Sequence, residues 1–189
     1  HVGDLSKARS WKVPVLIGIF AAALTGGVMW YLTSLGADRA VTRALDSSEA
    51  RTLIAQPGQT AKLTLEDSTH VIFGAGSKLT IPKDFNTQIR AVKIEGAARF
   101  SVASGNKLPF EIRAGKAAVI ATGTTITARS YPNDPFTIVQ VDSGTATVRV
   151  EKQDHPLTAG QALLIDREGK TRTPNADELA LDRAVIHHE

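Results

Sequence analysis

Residues 13–37 carry no charged side chain, and this run constrains the fold more than any other part of the chain. At about 1.5 Å of rise per residue, a helix of this length spans the roughly 30 Å hydrocarbon core of a bilayer. Trp11 at one end, and Trp30 with Tyr31 at the other, suit rings at the level of the lipid headgroups. The pattern predicts one transmembrane helix over 13–37.

The residues around the apolar run indicate how it is used. Lys7, Arg9 and Lys12 precede it, which favours a short cytoplasmic N-terminus over residues 1–12. A cleaved signal peptide is the alternative, but its apolar core is typically about 7–15 residues long, which is shorter than this run. We therefore expect an uncleaved anchor.

Gly26 and Gly27 lie inside the apolar run. Because glycine has no side chain, another helix could approach closely at these positions. This permits helix pairing and does not demonstrate it. We treat Gly26 and Gly27 as candidate contact residues for another membrane protein.

Two shorter segments border the main soluble part of the chain. Residues 38–50 are polar, with Val41 and Leu45 four positions apart, which fits either a short juxtamembrane helix or a stalk. Residues 171–189 form a C-terminal tail with room for one helix. Neither segment is expected to form a domain.

Residues 51–170 change to short runs rich in Val, Ile, Thr and Phe, in which apolar and polar positions alternate. Glycine, proline and asparagine separate the runs at intervals of roughly 8–12 residues, which is typical of an all-β domain. The sequence predicts an antiparallel sandwich, a barrel or a β-solenoid-like stack over 51–170.

Composition argues against several classes of function. The net charge is +3 and aromatic residues make up 5% of the chain, so there is no basic stripe with stacking rings of the kind that binds nucleic acid. The chain has no cysteine, which excludes a thiol nucleophile. Glu66 and Asp67 are adjacent, and neighbours on a strand face opposite sides. We expect no enzyme, no cofactor, no metal site and no small-molecule substrate.

The loop over residues 130–136 is the remaining candidate for a functional surface. Tyr131 and Phe136 lie in it among prolines, and a rigid aromatic loop makes a suitable anchor for a protein partner. The alternative is that both rings pack into the β core. Tyr131 and Phe136 are the candidate partner-binding residues of the soluble part.

Six runs of the sequence, in order, resemble the motifs of FecR-type domains. The first two resemble L-x-D-G-S-x-V and R-x-V-x-L-x-G-E-A-x-F-x-V, and the later ones resemble P-F-x-V, G-T-x-F-x-V, V-x-V-x-x-G-x-V-x-V and L-x-x-G-Q. The matching runs are Leu65–Val71, Arg90–Val102, Pro109–Ile112, Gly123–Ala128, Val139–Val148 and Leu157–Gln161. Ser68 stands where the motif has glycine, so we expect this turn to lose its residue with positive φ.

The resemblance implies a fold, a location and a function. FecR-type regulators join a cytoplasmic anti-sigma region through one membrane span to a periplasmic β domain. This implies an inner-membrane protein whose β domain is a non-enzymatic sensor or relay module for another membrane or periplasmic protein. Only 12 residues precede the predicted span, too few for a sigma-binding bundle. A structural accessory subunit of a larger membrane complex is therefore the alternative expectation.

Overall fold

A computed structural model describes residues 38–179 of the chain. The strands are short and separated by tight turns, as the alternating runs of the sequence predict. In chain order they are β1 (Arg51–Ile54), β2 (Ala61–Thr64), β3 (His70–Phe73), β4 (Lys78–Ile81), β5 (Ala91–Ser101), β6 (Phe110–Ala114), β7 (Ala117–Ala121), β8 (Thr125–Ser130), β9 (Phe136–Ser143), β10 (Thr145–Val150), β11 (Gln153–Thr158), β12 (Ala162–Asp166) and β13 (Thr171–Arg172). Residues 38–45 and 176–179 are helical.

The predicted membrane span lies outside the described residues. Within residues 38–179, no helix combines the length and the apolar character needed to cross a bilayer. The candidate residues of the span also fall outside the described part of the chain; these are Trp11, Gly26, Gly27, Trp30 and Tyr31.

The strands form one curled sheet with two halves that share β5. Half A has the order β1-β4-β5-β6-β7-β10-β11, and half B has the order β2-β3-β5-β8-β9-β12-β13. The first part of β5 pairs with β4 and β6, whereas its second part pairs with β3 and β8. The prediction of an all-β domain is confirmed.

Gly96 marks the point at which β5 passes from one half to the other. Its φ angle is +123°, a conformation that residues with a side chain rarely adopt. Ser77 lies against it, with its Oγ accepting a hydrogen bond from the Ala97 amide at 2.9 Å. A methyl group on Gly96 would lie 2.3 Å from Ser77 Oγ and 2.7 Å from Ser77 Cα. The bend in β5 therefore requires glycine.

One apolar cluster lies between the two halves. Alternate residues of β5 point into it, and Val92, Ile94 and Phe100 are fully buried there. Phe110 packs edge-on against Phe85, with ring centroids 6.2 Å apart. Because side chains of both halves enter the same cluster, the halves form a single core.

The prediction of a purely antiparallel sheet is wrong at one strand pair. β5 and β6 run parallel, with Ala91 opposite Glu111 and Ile94 opposite Ala114. β5 begins in half A and ends in half B. The connection over 102–109 brings the chain back to half A, beside the beginning of β5, so β6 runs in the same direction as β5. The other strand pairs are antiparallel.

Candidate interaction surface

The two charged residues of the first two motifs form a buried ion pair. Arg90 Nε lies 2.7 Å from Asp67 Oδ2, and both side chains have no exposed surface. The Arg90 guanidinium also donates to the carbonyls of Leu108 and Ala103 at 2.9 and 2.8 Å and lies 5.2 Å from the Phe110 ring centroid. This pair ties the turn before β3 to the crossover connection, and its burial makes it structural.

Ser68 has the positive φ angle that glycine has in the family motif. Its φ angle is +69°, so the expectation that serine removes the positive φ from this turn is wrong. Asp67 holds the turn closed, because its two carboxylate oxygens accept hydrogen bonds from the amide and hydroxyl of Thr69 at 2.9 and 2.8 Å. These bonds outweigh the cost of the left-handed conformation.

Replacing Ser68 with glycine should raise the free energy of unfolding by about 0.5–1 kcal/mol. The left-handed conformation costs a residue with a side chain about 1–2 kcal/mol, and glycine regains part of this but loses entropy on folding. Urea denaturation followed by circular dichroism measures the change. Ser104→Gly is the control, since Ser104 is exposed and has no positive φ, and an equal gain there would contradict the explanation.

Four hairpin turns meet at one end of the domain, and we call this group the turn cluster. The turns join β6 to β7, β8 to β9, β10 to β11 and β12 to β13, and their residues are 115–116, 131–135, 151–152 and 167–170. A methyl group on Gly115 would lie 2.6 Å from Thr137 Oγ1. One on Gly169 would lie 3.0 Å from Glu151 Oε1 and 3.8 Å from Lys116 Cδ. The turns of both halves are therefore in close contact.

Arg129 braces the 131–135 turn from inside. Its Nε and Nη2 atoms both bond to Asp134 Oδ2, at 3.0 and 2.8 Å. Its guanidinium lies 5.0 Å from the ring centroid of Tyr131, a distance at which a cation is attracted to an aromatic face. The Tyr131 hydroxyl donates to the carbonyl of Ala75 at 3.2 Å. The ring is thus fixed at both ends.

Arg167 braces the same turn from the neighbouring hairpin. Its Nη2 atom donates to the carbonyls of Asn133 and Asp134, at 3.2 and 3.4 Å. Arg167 belongs to the β12–β13 turn, so it links two members of the turn cluster. The sequence contained no signal for this contact, because the partners are 33 and 34 positions apart and both acceptors are backbone atoms.

Tyr131 and Phe136 are half-buried, and neither belongs to the central apolar cluster. They border a pocket of about 230 Å³ together with Lys116, Asp134 and Arg167. A second depression of about 610 Å³ shares Phe136 and Arg167 and extends along β12 and β13. The turn cluster therefore presents a concave surface with aromatic rings at its rim and charges beside them.

The start of the C-terminal helix is held by Glu178. Its backbone amide donates to Asn175 Oδ1, and its carboxylate accepts from the Asn175 amide, both at 2.8 Å, which is a reciprocal helix cap. Arg172 Nη2 lies 2.6 Å from Glu178 Oε1. Hydrogen bonds from Arg172, and then from the Asn175 amide, lower the pKa of Glu178 to about 2.

This cap should be sensitive to acid only at low pH. The pKa of Glu178 is lowered on folding, so its contribution is fully present above the ordinary value of 4.5 and is lost as the pH falls through about 2. A carbon NMR titration of the carboxyl group should give a midpoint near 2. Arg172→Gln should raise that midpoint towards 4.5, and an unchanged midpoint would show that Arg172 is not the main cause.

Asp67 and His70 are residue types that occur in hydrolase triads, but here each is hydrogen-bonded to a neighbouring side chain of the fold. Asp67 bonds to Arg90 and Thr69, and His70 Nδ1 lies 2.9 Å from Thr64 Oγ1 across a hairpin. Within residues 38–179, no group of three or more His, Cys, Asp or Glu residues could hold a metal ion. The turn cluster is therefore the candidate functional site of the described chain.

Comparison with known proteins gives a consistent result. The model of the family described as FecR protein matches residues 51–147. Two crystal structures of a candidate anti-sigma factor from Parabacteroides distasonis ATCC 8503 superpose with a TM-score of 0.62 and 25% identity. Each covers 69% of this chain, which itself spans 63% of that protein. The search of the curated proteins found no match.

The matched residues include both charged motif positions, the β5 glycine and the 131–135 turn, so the resemblance seen in the sequence is confirmed. The domain is of the type found in anti-sigma factors, which are regulators. The chain belongs to the FecR protein family.

Proposed function

We propose that this chain is a non-enzymatic, membrane-anchored module that binds another envelope protein through its turn cluster. The observation that carries the proposal is the braced turn at 131–135, which fixes the half-exposed ring of Tyr131 beside a pocket that the half-exposed Phe136 also borders. Aromatic side chains in concave sites commonly dominate protein–protein binding. A regulatory role is supported by the match to the FecR protein family and by the likeness to the solved structures of a candidate anti-sigma factor.

The bracing of the turn favours binding. A surface that is already ordered loses little conformational entropy when a partner binds, so more of the contact energy appears as affinity. Arg129 and Arg167 provide this order from opposite sides of the turn. The charged groups beside the rings would set the orientation of the partner more than the strength of binding.

The proposed location is the periplasmic side of a bacterial inner membrane. The uncharged run over 13–37, with Trp11, Trp30 and Tyr31 at its ends, supports a membrane anchor. The chain lacks cysteine, so a single cysteine at the exposed Ser143 can be labelled. A membrane-impermeant maleimide should label it in spheroplasts, and labelling only after lysis would contradict the proposed orientation.

Site-specific photocrosslinking tests the interaction. The full chain, with a photoreactive phenylalanine analogue at position 136, should give a discrete crosslinked product in its native membrane. Placing the analogue at Ile120, which is also half-buried but lies on the outer face of half A, provides the matched control. Tyr131→Ala combined with the analogue at 136 should reduce the product at least tenfold, by loss of the braced ring.

Two outcomes would contradict this function. A product of equal yield from positions 136 and 120 would mean that the turn cluster is not the contact surface. The absence of any product from position 136, with a strong product from position 120, would place the contact on half A instead.

A second candidate function is a structural accessory subunit of a larger membrane complex. The observation that favours it is the pair Gly26 and Gly27 in the apolar run, which would let another helix approach closely. Purification in mild detergent followed by native mass spectrometry separates the two functions. Gly26→Leu with Gly27→Leu should dissociate a subunit held by its helix, whereas a partner held by the turn cluster should remain bound.

A further inference from the structure

Residues 43–54 form a continuous segment that ends in the edge strand of half A, and we call this segment the strap. It consists of the linker over 43–50 and strand β1. β1 pairs with β4 alone, with Arg51 opposite Ile81 and Ile54 opposite Lys78. It is therefore an edge strand that holds the domain through one ladder of hydrogen bonds.

Two ion pairs attach the linker to the domain, and the linker contains one buried apolar residue. Leu45 is 5% exposed and is not part of the central cluster. Asp46 Oδ1 lies 3.9 Å from Lys93 Nζ, and Glu49 Oε2 lies 3.2 Å from Lys83 Nζ. The end of the linker is thus docked on the domain beside the first part of β5.

The surface around Lys93 shows where the linker docks. Thr80 lies opposite Lys93 on β4, and Ala91 lies two positions before it on β5. These residues face away from the core, yet Ala91 is 1% exposed and Thr80 is 8% exposed. Thr80 and Ala91 flank Lys93 on this face, and the contact of Asp46 with Lys93 places the linker beside them.

The strap is held more weakly than the rest of the domain. The Lys83 and Glu49 side chains are each 65% exposed, and ion pairs in such positions contribute little. Ile54 of β1 is 64% exposed. Segments with few buried apolar contacts open locally at a much lower free energy than the core strands.

We propose that the strap unfolds locally: residues 43–54 detach from half A while the remainder of the domain stays folded. Opening frees the hydrogen-bonding edge of β4 and uncovers the outer-face surface at Thr80 and Ala91. It also lengthens the unpaired chain that precedes the domain. The strap would therefore couple the segment before residue 43 to the state of the domain. This inference does not depend on binding at the turn cluster.

Hydrogen exchange measured by mass spectrometry on the full chain in detergent micelles tests the proposal. Peptides covering 51–54 should exchange at least tenfold faster than peptides covering 91–101. Leu45→Ala should increase exchange over 51–54 at least fivefold and leave 91–101 unchanged. Ser48→Ala is the matched control in the linker, because Ser48 is exposed, and it should change neither rate.

A reversible disulfide provides an independent test. Thr52 and Thr80 are opposite each other in the β1–β4 ladder, and the chain has no cysteine of its own. Oxidised Thr52→Cys/Thr80→Cys should slow exchange over 51–54 at least tenfold relative to the same protein after reduction. The proposal is overturned if 51–54 exchanges in step with 91–101, or if oxidation leaves the rate over 51–54 unaltered.

Discussion

Arg90→Met should lower the free energy of unfolding by about 3–5 kcal/mol. Methionine keeps much of the apolar volume but removes the cation, which leaves the Asp67 carboxylate buried with no exposed surface. The substitution also leaves the carbonyls of Leu108 and Ala103 without their donors. Urea denaturation followed by far-ultraviolet circular dichroism measures the loss.

Arg149→Met is the matched control. Arg149 Nε lies 2.7 Å from Asp154 Oδ1, the same distance as in the buried pair, but the two side chains are 30% and 49% exposed. Exposed pairs contribute about 0–1 kcal/mol, so this variant should lose little stability. Equal losses in the two variants would contradict the explanation, because they would show that burial does not determine the effect.

The double variant Arg90→Met/Asp67→Asn should be more stable than Arg90→Met alone. It removes the carboxylate together with its partner, so no buried charge remains uncompensated. This variant also keeps the prediction testable if Arg90→Met is too unstable to fold, since typical domains have only about 5–15 kcal/mol of stability. No recovery in the double variant would indicate that the lost carbonyl contacts, rather than the charge, cause the instability.

Gly96→Ala should cost about 4 kcal/mol of unfolding free energy, through two effects that add. The φ angle of +123° strains a residue with a side chain by about 1–3 kcal/mol. The added methyl group would also meet Ser77 Oγ at 2.3 Å and Ser77 Cα at 2.7 Å, and such overpacking costs about 1–3 kcal/mol more. Since the second atom belongs to the backbone, a side-chain rotation cannot relieve the clash.

Gly58→Ala separates the two effects. Gly58 also has a positive φ, of +78°, but no atom lies within 4 Å of the position of an added methyl group. This variant should lose about 1 kcal/mol, from backbone strain alone. If Gly58→Ala lowered the free energy of unfolding as much as Gly96→Ala, the close contact between Ser77 and β5 would not contribute to the loss.

The sequence was sufficient to predict the class of fold but not its topology. Alternation over 91–95 and 145–150 identified strands, because the period of a strand is visible in a single segment. The parallel pairing of β5 with β6 depends on where the chain goes between residues 102 and 109, and no local period encodes that path. The shared use of β5 by two halves was missed for the same reason.

The partner-binding role of Tyr131 and Phe136 stays a prediction, and the contacts around these residues were not predictable from the sequence. Tyr131 and Phe136 were chosen because rings and prolines occur together, and the structure places both at the rim of the turn cluster. The bracing by Arg129 and Arg167 was not predicted, since one contact involves backbone acceptors far away in sequence. Asp67 and Arg90 were recognised as motif residues, and only the folded chain shows that they bond to each other.

The turn cluster has an evolutionary consequence. Its four turns project beyond the strands, whereas Gly96 and the Asp67–Arg90 pair, which fix the backbone, lie elsewhere in the chain. Insertions and changes in hairpin turns are tolerated much better than changes in buried strands. Relatives could therefore diverge in turn length and composition, and through the binding proposed for the turn cluster in the partners they contact, while inheriting the same framework unchanged.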